Sequence, residues 1–265
     1  MTSTHARRFG LGLAMAALIF CLPGIAAEPQ LTPAQREFIV RANAFMDEMD
    51  ALYFGRIAEL NGSAAVEILD FPTDFAGHNV TVARGAVVAK AGRMRVVHKR
   101  PKADFQGKRL WSRFFSIDVH PASPKVGMLH AAFTMGFKPD GSSSIGGWID
   151  VLPSAMSEAD LARLKVTMDK VFDKYDIDPE PHRTMSCEGS PGEGPRRREP
   201  ACVGGSFYGR DMMPVNTHNF DFLTEAYREF LLVYLDLLET NRNTPYTNED
   251  IAKQDYMRRN WLEDR

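Results

Sequence analysis

From about Val80 to Asp150 the chain is a succession of β-rich runs parted by turn residues, and this limits the folds open to it. Val80-Thr81-Val82, Gly85-Ala86-Val87-Val88, Met94-Arg95-Val96-Val97, Phe114-Phe115-Ser116-Ile117-Asp118-Val119 and Leu129 to Phe137 are rich in branched and aromatic residues. Gly, Pro or charged residues separate them. Pro139-Asp140-Gly141 reads as a hairpin-type turn into the strand that carries Trp148. The pattern predicts an antiparallel meander.

Helices are expected on both sides of that block. Thr32-Pro33 offers an N-cap and a proline at N1. Phe38, Ala42, Phe45, Met49, Leu52 and Tyr53 then recur at helical spacing over 33–58. Ser157-Glu158-Ala159-Asp160 resembles a capping box before a helix over 158–175. Residues 178–201 are rich in Pro, Gly and Arg and lack periodicity, so they are expected to form a loop. Val203 to Tyr208 reads as one more strand. Phe222, Leu223, Tyr227, Phe230, Leu231, Tyr234 and Leu238 mark a long helix over 221–240, and Thr247-Asn248-Glu249-Asp250 caps a last one. Helix, sheet, then helices predicts a single α+β domain over 28–265.

Residues 1–27 are expected to leave as a signal peptide. His5, Arg7 and Arg8 make a basic start, Phe9 to Leu22 is apolar, and Gly24-Ile25-Ala26-Ala27 offers small residues for cleavage. The alternative is an uncleaved anchor, for which the apolar run is short. The expected product is exported, periplasmic or secreted. Cleavage removes two arginines and no acid, so the mature chain is more acidic than the full chain's net −2. That balance does not favour a nucleic-acid partner. Cys21 leaves with the signal. Cys187 and Cys202 then invite one disulfide in an oxidising compartment, the alternative being two unrelated thiols.

Five short motifs, in order, resemble the oxygen-dependent coproporphyrinogen oxidase family. Gly85-Ala86-Val87-Val88-Ala89-Lys90-Ala91-Gly92 is similar to G-x-V-F-E-K-A-G. His120-Pro121-Ala122-Ser123-Pro124, followed by His130, resembles H-P-x-N-P with a second His ten residues after the first. Gly146-Gly147-Trp148-Ile149-Asp150-Val151-Leu152-Pro153 resembles G-G-G-x-D-L-T-P. Gly204-Gly205-Ser206-Phe207-Tyr208 resembles R-G-I-G-G-I-F-F. Asn243-Thr244-Pro245-Tyr246-Thr247 with Met257-Arg258-Arg259 resembles D-T-P-Y-T with L-R-R-G-R-Y. The resemblance implies a large antiparallel sheet flanked by helices, a tetrapyrrole cleft and a homodimer. It also implies oxidative decarboxylation of propionates, with molecular oxygen as co-substrate and no metal or organic cofactor.

The candidate site follows from those motifs. Asp150 matches the aspartate that the family is thought to set against pyrrole N–H groups, a task that suits a carboxylate. Its alternative is a strand-end residue capping a turn. His130 is the candidate proton-transfer group, since an imidazole titrates near neutrality; its alternative is a packed strand histidine. His120, Lys165, Gly204 and Gly205 are candidate substrate contacts. His130 and Asp150 are expected to open on one cleft. A metal pair of His120 and His130 is weak, because strong zinc spacings are absent. The chain departs from the family pattern where Ala132 and Thr134 stand for an asparagine and an arginine, Ala201 for a second arginine, Arg163-Leu164-Lys165 for H-F-H, and Val96 for a serine. The candidate cations to replace the arginines are Lys125, Lys165, Arg163 and the run Arg196-Arg197-Arg198. The leading expectation is a divergent exported oxidase. The alternative is a non-catalytic protein of the same fold that binds a tetrapyrrole or another anion.

Overall fold

The computed structural model describes residues 30–99, 108–188, 199–209 and 212–263. The expected signal segment and the Arg196–Arg198 run lie outside the described residues. The elements run α1 (Pro33–Asn61), β1 (Val66–Pro72), β2 (Ala76–Ala83), β3 (Val88–His98), β4 (Trp111–Pro121), β5 (Met128–Phe137), β6 (Ser143–Leu152), α2 (Glu158–Lys174), α3 (Pro179–Glu188), β7 (Gly205–Ser206), α4 (Thr217–Asn241) and α5 (Asn248–Glu263). The seven strands pair in chain order, each antiparallel to the next. The fold is α+β, with a meander sheet and helices, as the sequence predicts.

Local chemistry sets the ends. Thr32 Oγ1 accepts from the Gln35 N–H, Gln35 Oε1 accepts from the Thr32 N–H, and left-handed Gly62 closes α1. The β5–β6 turn closes by Lys138 N–H to the Ser142 carbonyl at 2.9 Å, with Gly141 at φ 85°.

Alternation along the strands then separates two faces. Phe115, Ile117, Phe133 and Ile149 join the main core with Phe45, Met49, Phe222, Tyr227 and Phe230 of the helices. Three helix tyrosines anchor this layer to backbone carbonyls of the sheet and its connections: Tyr53 on Asp118, Tyr227 on Ala131 and Tyr234 on Gly127 just before β5, at 3.1, 3.4 and 2.7 Å. The other face carries Met128, Trp148 and Leu152, which pack against Met257, Tyr208 and Trp261. Of the helices, α5 contributes Met257 and Trp261 to this second cluster.

Three predicted elements differ. Of Gly85–Val88, only Val88 is strand; the amides of Val87 and Val88 donate to Asn61 Oδ1, at 3.2 and 2.9 Å, which holds the chain as the β2–β3 connection. The expected loop at 178–201 begins as α3, because Asp178 caps the Glu180 N–H at 3.0 Å and Pro179 suits a first helical position. The expected strand from Val203 to Tyr208 shrinks to Gly205–Ser206, because the Val203 and Gly204 amides turn to a side chain described below. β1 lies before the predicted start of the sheet and was not foreseen.

Candidate functional site

Strand register gathers the chemistry into one row. Gly92, Asp118, His130 and Asp150 are successive partners across β3, β4, β5 and β6. Directly opposed residues share a face, so this row runs across the face that α5 partly covers.

His130 is held on three sides. Its Nδ1 bonds to Asp118 Oδ1 at 2.5 Å. The rings of Trp148 and Trp261 lie 5.1 and 4.9 Å from its own. Burial opposes ionisation of Asp118, but the bond from His130 outweighs it and the carboxyl sits below the usual range. An ionised Asp118 only accepts, so the hydrogen belongs on His130 Nδ1, and Nε2 is left as the acid–base atom. Asp118 is the site residue that sequence reasoning missed. The signal was its place in a β-rich run, twelve residues before His130, but only the register makes it a partner.

Asp150 is set differently from the expected open cleft. It is 0% exposed. Its Oδ1 accepts from the amides of Val151 and Val203 at 2.9 and 3.3 Å, and Oδ2 from Ser186 Oγ at 2.8 Å. The Gly204 amide adds a further bond. Burial outweighs these bonds and pushes the carboxyl up to about 6. Asp150 and His130 are register partners, but Asp150 spends its acceptors on the chain that closes the sheet edge.

The disulfide explains that closure. Cys187 and Cys202 are bonded, with Cα atoms 5.6 Å apart. Ser186 and Val203, each adjacent in sequence to one half-cystine, both bond to Asp150. Carboxylate and disulfide thus form one clasp between α3 and the turn into β7. Gly204 makes the approach possible: a Cβ there would lie 1.7 Å from the Ile149 carbonyl oxygen. Gly205 pairs with Ile149 in β7.

The remaining candidates divide. His120 lies one row along the same face, opposite Lys90. Its Nε2 is buried and has no hydrogen-bond partner. Burial first, then the charge of Lys90, pushes its pKa down to about 4, so the ring is neutral at pH 7. Lys165 is not brought to this row; it sits on α2, half-exposed, bonded to Asp169 at 3.0 Å. Arg163 is exposed on the same helix. Lys125 is paired with Asp250 at 2.8 Å. Ala132 and Thr134 stand on β5 beyond His130, and Trp148 occupies the third glycine position of the quoted motif. Among the described residues no group of three His, Cys, Asp or Glu comes together as a metal site.

A cavity of about 380 Å³ lies beside this face, between the end of β6 and α5, lined by Leu152, Ser154, Glu199, Lys253, Tyr256 and Met257 among others. A second of similar size lies among the helices, around Arg41, Glu48, Tyr175 and Arg228. Neither includes His130 or Asp150. Compared with known families, the chain matches the family model described as Coproporphyrinogen III oxidase over residues 49–263.

Proposed function

The chain belongs to the coproporphyrinogen III oxidase family, and from that premise we propose that it oxidatively decarboxylates a carboxyethyl arm of a tetrapyrrole at His130. The observation that carries this reading is the His130–Asp118 pair on the sheet face, braced by aromatic rings. In such a reaction the arm loses CO2 and two hydrogens and becomes a vinyl group, while O2 gains two electrons and two protons to give hydrogen peroxide. His130 Nε2 holds or moves one of those protons, and Asp118 fixes the tautomer that lets it do so. Trp261, partly exposed beside His130, offers flat apolar contact to a macrocycle, with buried Trp148 packed against the same imidazole. Asp150 acts through the clasp as a positioning residue: it keeps β7 against β6, beside Trp148.

A second reading is binding without turnover. It is favoured by Ala132, Thr134 and Ala201, which stand where the family pattern has an asparagine and two arginines, and by the burial of Asp150. Export after residue 27 remains part of the proposal, and a Cys187–Cys202 disulfide suits an oxidising compartment. Homodimerisation is proposed through β1, whose apolar side chains are exposed.

Aerobic incubation with coproporphyrinogen, followed by mass spectrometry, tests the reaction. The expected result is a product lacking CO2 and two hydrogens, with His130→Gln slower by about 10²–10⁴-fold. Ligand bound but never consumed by the wild type selects the second reading. An active wild type with an equally active His130→Gln removes His130 from the chemistry.

A further inference from the structure

Two cations beside the sheet face, Lys90 and Arg258, make no ion pair among the described residues, although the charge of Lys90 reaches Asp118. Lys90 on β3 is the register partner of His120 on β4. Arg258 on α5 donates to the Pro121 carbonyl, next in sequence to His120, at 3.0 Å. Both raise the positive potential at the His120 ring. Among the described residues neither is in an ion pair, whereas Lys125 on the same rim is neutralised by Asp250. The nearest anion in the row, Asp118, is bonded to His130. His120 Nε2 is buried without a partner, an unfavourable state that a ligand oxygen would relieve.

We propose that Lys90, His120 and Arg258 form a carboxylate-binding subsite that holds one rim carboxylate of the tetrapyrrole beside the His130–Asp118 pair. The proposal rests on the tetrapyrrole reading above and adds the place where the ring is gripped. Arg258 gives a planar fork and Lys90 a mobile ammonium, a suitable pair for an arm that arrives from solvent. His120, with its hydrogen on Nε2, donates to the second oxygen. His120 is two residues along β4 from Asp118, about 7 Å at the usual strand rise. A ligand anchored there brings a neighbouring arm to His130. The subsite also accounts for how the chain can manage without arginines at Thr134 and Ala201.

The test is titration with coproporphyrin, which carries four carboxylates, and with its tetramethyl ester in mild detergent, followed by absorbance. The wild type is expected to bind the acid at least tenfold more tightly than the ester. Lys90→Met and Arg258→Met are each expected to weaken the acid about tenfold or more and to leave the ester unchanged. Lys90→Gln serves if the methionine variant does not fold, and exposed Lys170→Gln should match the wild type. Folded variants that bind the acid as well as the wild type does overturn the subsite, as does equal wild-type affinity for acid and ester. Failure of the wild type to bind either compound overturns the tetrapyrrole reading itself.

Discussion

At the scale of single residues, two aspartates of one row are shifted in opposite directions from the ordinary carboxylate pKa. Asp118 is ionised because His130 bonds to it; Asp150 resists ionisation because it is sealed from water. The second has a thermodynamic signature. The folded pKa of Asp150, about 6, lies above the ordinary carboxylate value, so between roughly pH 4 and 6 the folded state binds more protons than the unfolded state. Its contribution to stability is therefore full below about pH 4 and is lost as pH rises through 6. The shift corresponds to about 2–3 kcal/mol. Asp150→Asn cannot titrate, so the wild type should lose about that much stability relative to the variant between pH 4 and 7. Denaturant unfolding at a series of pH values measures it, and parallel curves for the two proteins would show that Asp150 is not buried as described.

At the scale of elements, the clasp between α3 and β7 depends on both Asp150 and the disulfide. The bridge closes a loop with a sequence separation of 15, which in the chain-entropy model stabilises by about 3 kcal/mol. Cys187→Ser with Cys202→Ser should cost about that much. Hydrogen exchange at Val203 and Gly204 should also quicken, since those amides bond to Asp150 beside the bridge. Unchanged exchange would mean that the carboxylate holds the edge alone. Much of this scale was legible in the sequence. The helices α1, α2 and α4 followed from capping residues and apolar spacing, and the cysteine pair from compartment and count. The site was legible only in part. His130 and Asp150 carried motif signals, but Asp118 becomes a partner only through strand register, a non-local property. The burial of Asp150 depends on α3, which was hidden because Pro179 and its neighbours read as loop composition when one of them begins a helix.

At the scale of the whole molecule, the sheet ends unequally. β7 is two residues long and covered. β1 runs seven residues with every residue exposed, including Val66, Ile68, Leu69 and Phe71. Glu67, Asp70 and the terminal Pro72 blunt it in part, but it has no lysine, arginine or bulge, and its apolar side chains leave an edge that can pair with another strand. If a second copy meets it, sedimentation should give a dimer, and Ile68→Lys should shift it to monomer without lowering monomer stability by more than about 0.5 kcal/mol. A monomeric wild type would leave β1 without that role. The two sheet faces are the larger asymmetry. One is filled by α1, α2 and α4, while the other presents Asp118, His130 and His120 beside Met257 and Trp261 of α5, with α3 closing over Asp150 at the end of the row. The proposed function requires a tetrapyrrole to lie on this second face. A crystal structure of the protein with coproporphyrin tests it most directly. The ring is expected against His130 and Trp261, under α5, with one carboxylate on Lys90 and Arg258. A ring bound in the helical layer around Arg41 and Arg228, or anywhere away from His130, would contradict it.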